Sequence, residues 1–286
     1  MISTLLSTLL LASTSTPAAT PITFHYTNDQ VLAAKDGEQA KKDWFDACAA
    51  GGEFAFLASS YAPDPGMSRE QREAAAKKFD RKAFEAIAQA SYDRVVAELP
   101  QKPLTLCVDF TREDDAFARD QMRGVMALTA GSGKLIVKIH PDADWKTLLP
   151  YVLGHELQHS YWAQHFFDAS KPFTLGDYLV FEGRADNFAM HAFGKHPAPW
   201  IDALDPAQYE ATLQRFEPQF GDSSPQVLMG SMFGNPKAGI PLWAGYTVGY
   251  RLVARKVADD HLADWKAISA MPASAFLPAA APASSP

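Results

Sequence analysis

The sequence predicts an α+β fold, mainly helical, with a small antiparallel sheet in the middle of the chain. Short runs of β-forming residues cluster between positions 104 and 140, and apolar patterns of helical period flank them on both sides. Two of the runs meet across Gly131-Ser132-Gly133 in the manner of a hairpin. With 286 residues, 47% of them hydrophobic, the chain can bury its own core.

The elements follow in order. MISTLLSTLLLASTSTPAAT reads as a secretory signal peptide over 1–19, with an apolar core from Leu5 to Ala12 and small residues suited to cleavage, although no Lys or Arg precedes the core. That run falls far short of the ~20 residues of a membrane span, and no later segment reaches it. An exported protein, periplasmic or secreted, is therefore expected. Residues 20–100 form an N-terminal helical region. Ser68 with Gln71 makes a capping box, and the helical pattern runs on through Phe79, Phe84, Ile87 and Val95 to a stop before Pro100.

Residues 101–272 hold the strands LTLCVDF (104–110), GVMALTA (124–130) and KLIVKIH (134–140). In the third, Leu135, Val137 and Ile139 alternate with Ile136, Lys138 and His140, the pattern of a half-exposed strand; at a sheet edge it would let an extended peptide pair with it. GSGK is a turn, since a phosphate loop needs Gly at 128 and Ser or Thr at 135, where Leu128 and Leu135 stand. A helix surrounds His155, with Pro150 implying a start near Thr147 or a kink. Another spans 175–193, capped by Thr174 and stopped by Gly194, and Asp205, Pro206 and Gln208 open a third. WAGYTVGYRLVARKV (243–257) is a fourth, and 273–286, rich in Pro, Ala and Ser, is a fraying tail.

The formal charge of -7, without a basic run, argues against nucleic-acid or anionic-membrane partners. Cys48 and Cys107 fit one disulfide and two buried thiols equally well, and they are too few for a Cys-based structural zinc site.

Chemistry concentrates in GHELQHSYWAQH (154–165). On a helix, His155 and His159 project from one face a turn apart and can bind one zinc ion, with Glu156 beside them to reach a metal-activated water. A catalytic zinc takes a third protein ligand. His165 has metzincin spacing, but Trp162 stands where that pattern needs the helix-breaking Gly, and on a continuous helix His165 points about 80° from His155 and 120° from His159. The other candidate lies in FEGRAD (181–186), where Glu182 and Asp186 share the apolar side of their helix with Leu175, Leu179, Ala189 and Phe193. Buried carboxylates need neutralisation, which a metal would provide. Glu182 would then be the third ligand and Asp186 would accept the free ring N–H of a ligand His, with Gly183 letting the two helices approach. His191 falls on the wrong side for ligation.

HELQH, followed by EGRAD 23 residues after His159, resembles the gluzincin arrangement of thermolysin-like peptidases. KLIVKIHP, GHELQH, FEGRAD and AGYTVGY together resemble a family of predicted zinc-dependent proteases classed as a domain of unknown function, over roughly 100–272. The resemblance implies a zincin-like core, zinc (Zn2+) as cofactor, His155, His159 and Glu182 as ligands, and Glu156 as base. A developing oxyanion needs a further donor, for which Tyr246 and Tyr250 are candidates, Tyr246 slightly preferred, unless both only pack beside Gly245 and Gly249. The expected activity is hydrolysis of a peptide or protein substrate. The alternative is a peptidase-like binding or chaperone module that keeps the metal without cutting.

Overall fold

Four runs of β-forming residues build one sheet in the computed structural model, which describes residues 22–194 and 198–278. The strands are β1 (Ile22–Tyr26), β2 (Leu104–Phe110), β3 (Val125–Gly131) and β4 (Lys134–Ile139), arranged β1-β2-β4-β3. β1, β2 and β4 run parallel, and β3 closes one edge antiparallel to β4. The sheet is therefore mixed, which corrects the expected antiparallel one. Turn chemistry encodes the β3–β4 hairpin locally, with Gly131 at φ 154 and Gly133 at φ 75. Parallel pairing instead needs long crossovers that no local signal marks. β1 also places a strand inside the region expected to be helical.

Before β2 come α1 (Thr27–Ala33), α2 (Gly37–Cys48), α3 (Arg69–Lys78) and α4 (Arg81–Val96). The capping box at Ser68 and Gln71 is present at the start of α3. The single helix expected up to Pro100 is broken after Lys78, because the Asp80 side chain accepts from the Ala83 N–H and caps α4 afresh. After β4 follow α5 (Trp145–Phe166), α6 (Leu175–Phe193), α7 (Pro206–Phe216), α8 (Pro225–Phe233), α9 (Ala244–Asp259) and α10 (Trp265–Ala270). Thr174 caps α6 with Asp177 as its reciprocal partner, and Asp205 with Gln208 caps α7. Pro150 lies inside α5 without ending it.

The sheet is covered on both faces. Leu106, Val108, Leu135, Val137 and Ile139 join α4 and α5 in one core, while Cys107 and Ile136 meet Trp44, Cys48 and Ala58 in a second. β4 is thus neither an edge strand nor half-exposed. Lys138 made it read so, yet its ammonium donates to the Ala62 carbonyl at 2.7 Å under the second layer. The edge strands are β1 and β3, and β3 is the edge that α5 packs against. Residues on both sides of Pro100 share the first core, from Phe84 and Tyr92 to Leu149 and Tyr151.

α5 lies against the sheet, α4 and α6, buried on every side from Tyr151 to Tyr161, as a helix passing through a core must be. α6 in turn crosses α9 in close backbone contact: a Cβ on Gly183 would overlap the Gly249 carbonyl, and one on Gly249 the Leu179 carbonyl. Gly183 therefore serves the α6–α9 crossing and not the approach to the histidine helix. Gly154 does that, since a Cβ there would come within 2.5 Å of the Phe193 ring. The expected tail is packed as far as it is described: Phe276 is buried, and Arg184 donates to the carbonyls of Ser269 (3.2 Å) and Met271 (2.5 Å). The expected leader (1–19) and residues 279–286 lie outside the described residues.

Cys48 and Cys107 form a disulfide, settling the alternatives the sequence left open. It pins α2 to β2 and closes a loop of 59 residues. In the chain-entropy picture such a loop is worth about 4 kcal/mol. Replacing both residues with Ser is expected to lower the unfolding free energy by about 2–4 kcal/mol. Urea titration reads this, and a midpoint equal to that of the wild type would refute it.

Candidate metal centre

α5 presents His155 and His159 one turn apart, and α6 brings Glu182 up to both. His155 Nε2 is 3.1 Å from Glu182 Oε2, and His159 Nε2 is 3.4 Å from the same oxygen. The donor atoms of the three residues lie within 4.8 Å of one another. Metal bonds of about 2.0–2.1 Å in tetrahedral array put ligand atoms roughly 3.3 Å apart, so this set fits one ion. Two imidazole nitrogens and a carboxylate oxygen are donors that divalent transition metals take.

The side chains around it hold this set in place. His155 Nδ1–H donates to Asp186 Oδ1 at 2.9 Å, which turns Nε2 toward Glu182. The same oxygen accepts from the Tyr151 hydroxyl at 2.8 Å and from Trp200 Nε1–H at 2.9 Å, so Asp186 is held from three directions. The His159 ring stacks on Phe181 with centroids 3.8 Å apart and planes 10° apart, while its Nδ1, buried, has no hydrogen-bond partner. Glu156 is 6% exposed, and the Thr129 hydroxyl on β3 lies 2.7 Å from its Oε2 and 2.8 Å from its carbonyl oxygen.

Electrostatics points the same way. Burial works against the charged form of His155, but Asp186 and Glu182 outweigh it and hold the protonated ring well above the usual histidine range. Burial likewise opposes ionisation of Glu182, and the facing rings of His159 and His155 overcome it, keeping the carboxylate well below its ordinary range. A divalent cation between the two rings and Glu182 would take over the neutralisation of that carboxylate.

Three phenols feel the charge of the same carboxylate. Burial first, and then the Glu182 charge, push Tyr246 upward; Tyr178 and Tyr61 shift the same way, each with Glu156 contributing as well. All three stay protonated and remain donors. Tyr246 packs edge-on against Trp243 (5.5 Å) and Phe233 (5.7 Å), whereas Tyr250 feels Asp186 and Asp202 and not Glu182. Of the two expected tyrosines, Tyr246 is the one on the ligand side.

His165 does not join the cluster: it is exposed, and its ring lies against Tyr161 at 4.5 Å. His191 points away, to Glu98 at 2.8 Å. Sequence reading missed Thr129, Tyr151, Trp200, Phe181, Tyr178 and Tyr61. Tyr178 was accessible, standing one turn before Glu182 on the same side of α6. Tyr61 and Trp200 carry no local signal.

Glu182→Ala is expected to release the metal that the wild type retains after dialysis, and His165→Ala to keep it, read by elemental analysis. Retention by Glu182→Ala would exclude this cluster as the metal centre. Asp186→Asn, which weakens the support of His155, should lower metal affinity about 10–100-fold in a competition with a chromogenic chelator.

Comparison with known proteins fits this geometry. A family model described as "Predicted Zn-dependent protease (DUF2268)" matches residues 84–278, from α4 to the end of the described chain. The uncharacterized protein YjfC of Bacillus subtilis (strain 168) is 27% identical over 139 residues, and the matched region covers 46% of this chain and 46% of that protein. The chain thus spans about half the length of the curated relative it matches. No solved structure matches. With the family model covering more than half of its residues, the chain belongs to the DUF2268 family of predicted zinc-dependent proteases.

Proposed function

We propose that this protein is a zinc peptidase of gluzincin type, in which His155, His159 and Glu182 hold one Zn2+ and Glu156 is the general base. The observation that carries the reading is the convergence of both Nε2 atoms on one Glu182 oxygen, at 3.1 and 3.4 Å, with Glu156 following His155 on the same buried stretch of α5. A zincin-like core is further supported by a histidine helix lying against a mixed sheet that has an antiparallel strand, β3, at the edge beside that helix.

When bound, zinc supplies a Lewis acid for a peptide carbonyl and brings the pKa of water toward ~7. The protein residues do the rest. Glu156 takes the proton of the attacking water and returns it to the leaving amine. Thr129 holds the Glu156 carboxylate in place by its hydroxyl. Asp186 fixes the His155 tautomer, so that Nε2 keeps its lone pair for the ion. Tyr246, a phenol that stays protonated, donates to the developing oxyanion; Tyr178 offers a second such hydroxyl.

The substrate class is a peptide or protein. Among the described residues no helix is long and apolar enough to cross a membrane. Export is supported by the leader-like residues 1–19 and by the Cys48–Cys107 disulfide, a bond that persists in oxidising compartments. An intact mass of the mature protein that retains Met1 through Ala19 would count against export.

Glu156→Gln tests the chemistry. It should keep zinc at wild-type stoichiometry and lower the rate of peptide hydrolysis by at least about 100-fold. Unchanged turnover would remove Glu156 from the base role, and absence of turnover in the zinc-loaded wild type would leave a peptide-binding module.

A further inference from the structure

We infer that this site takes short peptides or chain ends and rejects the interior of an extended chain. The inference deepens the peptidase reading and rests on it. It begins at β3, the strand whose Thr129 touches Glu156. A substrate adding as a strand beside the metal residues must use the free edge of β3. The His140 N–H donates to the Gly124 carbonyl, so by antiparallel alternation Met126 and Leu128 turn their backbone groups to β4, and Ala127 and Thr129 turn theirs outward; the register shift between Thr129 and Gly131 then leaves the Ala130 carbonyl facing outward as well.

The chain's own segment 52–61 already engages that edge at two points. The Phe54 N–H donates to the Ala130 carbonyl at 2.9 Å, and the Tyr61 hydroxyl donates to the Ala127 carbonyl at 2.7 Å. These carbonyls are three residues apart, about 10 Å of strand. Between the two contacts, the edge leaves room to pair with about two substrate residues. A twelve-residue extended chain spans about 40 Å and would have to pass through both contacts.

The segment is held firmly. The Glu53 carboxylate accepts from the Ser132 N–H at 2.7 Å and from the Ser132 hydroxyl at 2.8 Å, and a Cβ on Gly52 would overlap the Ala130 carbonyl. The Phe54 ring sits edge-on between Phe167 (5.2 Å) and Phe181 (5.8 Å), the ring on which His159 stacks. Ala58 is fully buried. At the other end, the Tyr61 hydroxyl meets β3 two residues before Thr129, whose own hydroxyl lies 2.7 Å from Glu156 Oε2.

The test compares two peptide mixtures on the zinc-loaded full chain: random-sequence tetrapeptides with free ends, and random dodecapeptides acetylated and amidated at their ends. Mass spectrometry of the products should show tetrapeptide bonds cut at least ten-fold faster, and equal rates would overturn the inference. Binding to the zinc-loaded Glu156→Gln protein, immobilised, gives a readout independent of turnover. Selective retention of tetrapeptides supports the inference even if the wild type cuts nothing, a result that sinks the hydrolytic reading alone. Equal retention of both mixtures, or of neither, overturns it. Loss of hydrogen-exchange protection at the Phe54 amide on adding the dodecapeptides would also overturn it, because the segment would then be a lid that opens.

Discussion

Two carboxylates, Glu182 and Asp186, lie buried on α6 and face two buried imidazoles on α5, and the cost of keeping those charges out of water governs the centre of this molecule. An unpaired buried carboxylate costs several kcal/mol. The two are handled differently. Asp186 is held by protein through His155, Tyr151 and Trp200 on its Oδ1, while its Oδ2 is buried without a hydrogen-bond partner among the described residues. Glu182 Oε2 meets the Nε2 atoms of both rings, the arrangement expected where a cation completes the set. One acid thus orients a ligand while the other is itself available as one.

That division depends on how closely the helices approach. Gly154 admits Phe193 next to His155, and the contact of Gly183 with Gly249 draws α9 onto the far side of α6. α9 brings Tyr246 to the Glu182 side and, through Thr247, binds the carbonyl of Trp200, whose indole holds Asp186. The glycines of AGYTVGY therefore serve close packing, Gly249 against α6 and Gly245 against α8.

The part of the chain before Pro100 completes the same unit. β1 extends the sheet, the disulfide anchors α2 to β2, and the segment that follows α2 bonds to the outer side of β3. The family model begins only at residue 84, within α4. The residues that close off the β3 edge lie outside that match.

Features with local physical causes could be read from the sequence alone. The i, i+4 spacing of His155 and His159, the shared side of Glu182 and Asp186 on α6, the caps at Ser68, Thr174 and Asp205 and the β3–β4 turn each depend on residues within about one turn of one another. Their geometry is set by the helix and strand repeat whatever surrounds them. Tertiary structure decided what depends on distant partners: the parallel pairing of β1, β2 and β4, the burial of Lys138, the joining of Cys48 to Cys107, and the arrival of Trp200 and Tyr61 at the centre. Such contacts form only when long crossovers close, and their energy is shared among elements that no window of sequence contains.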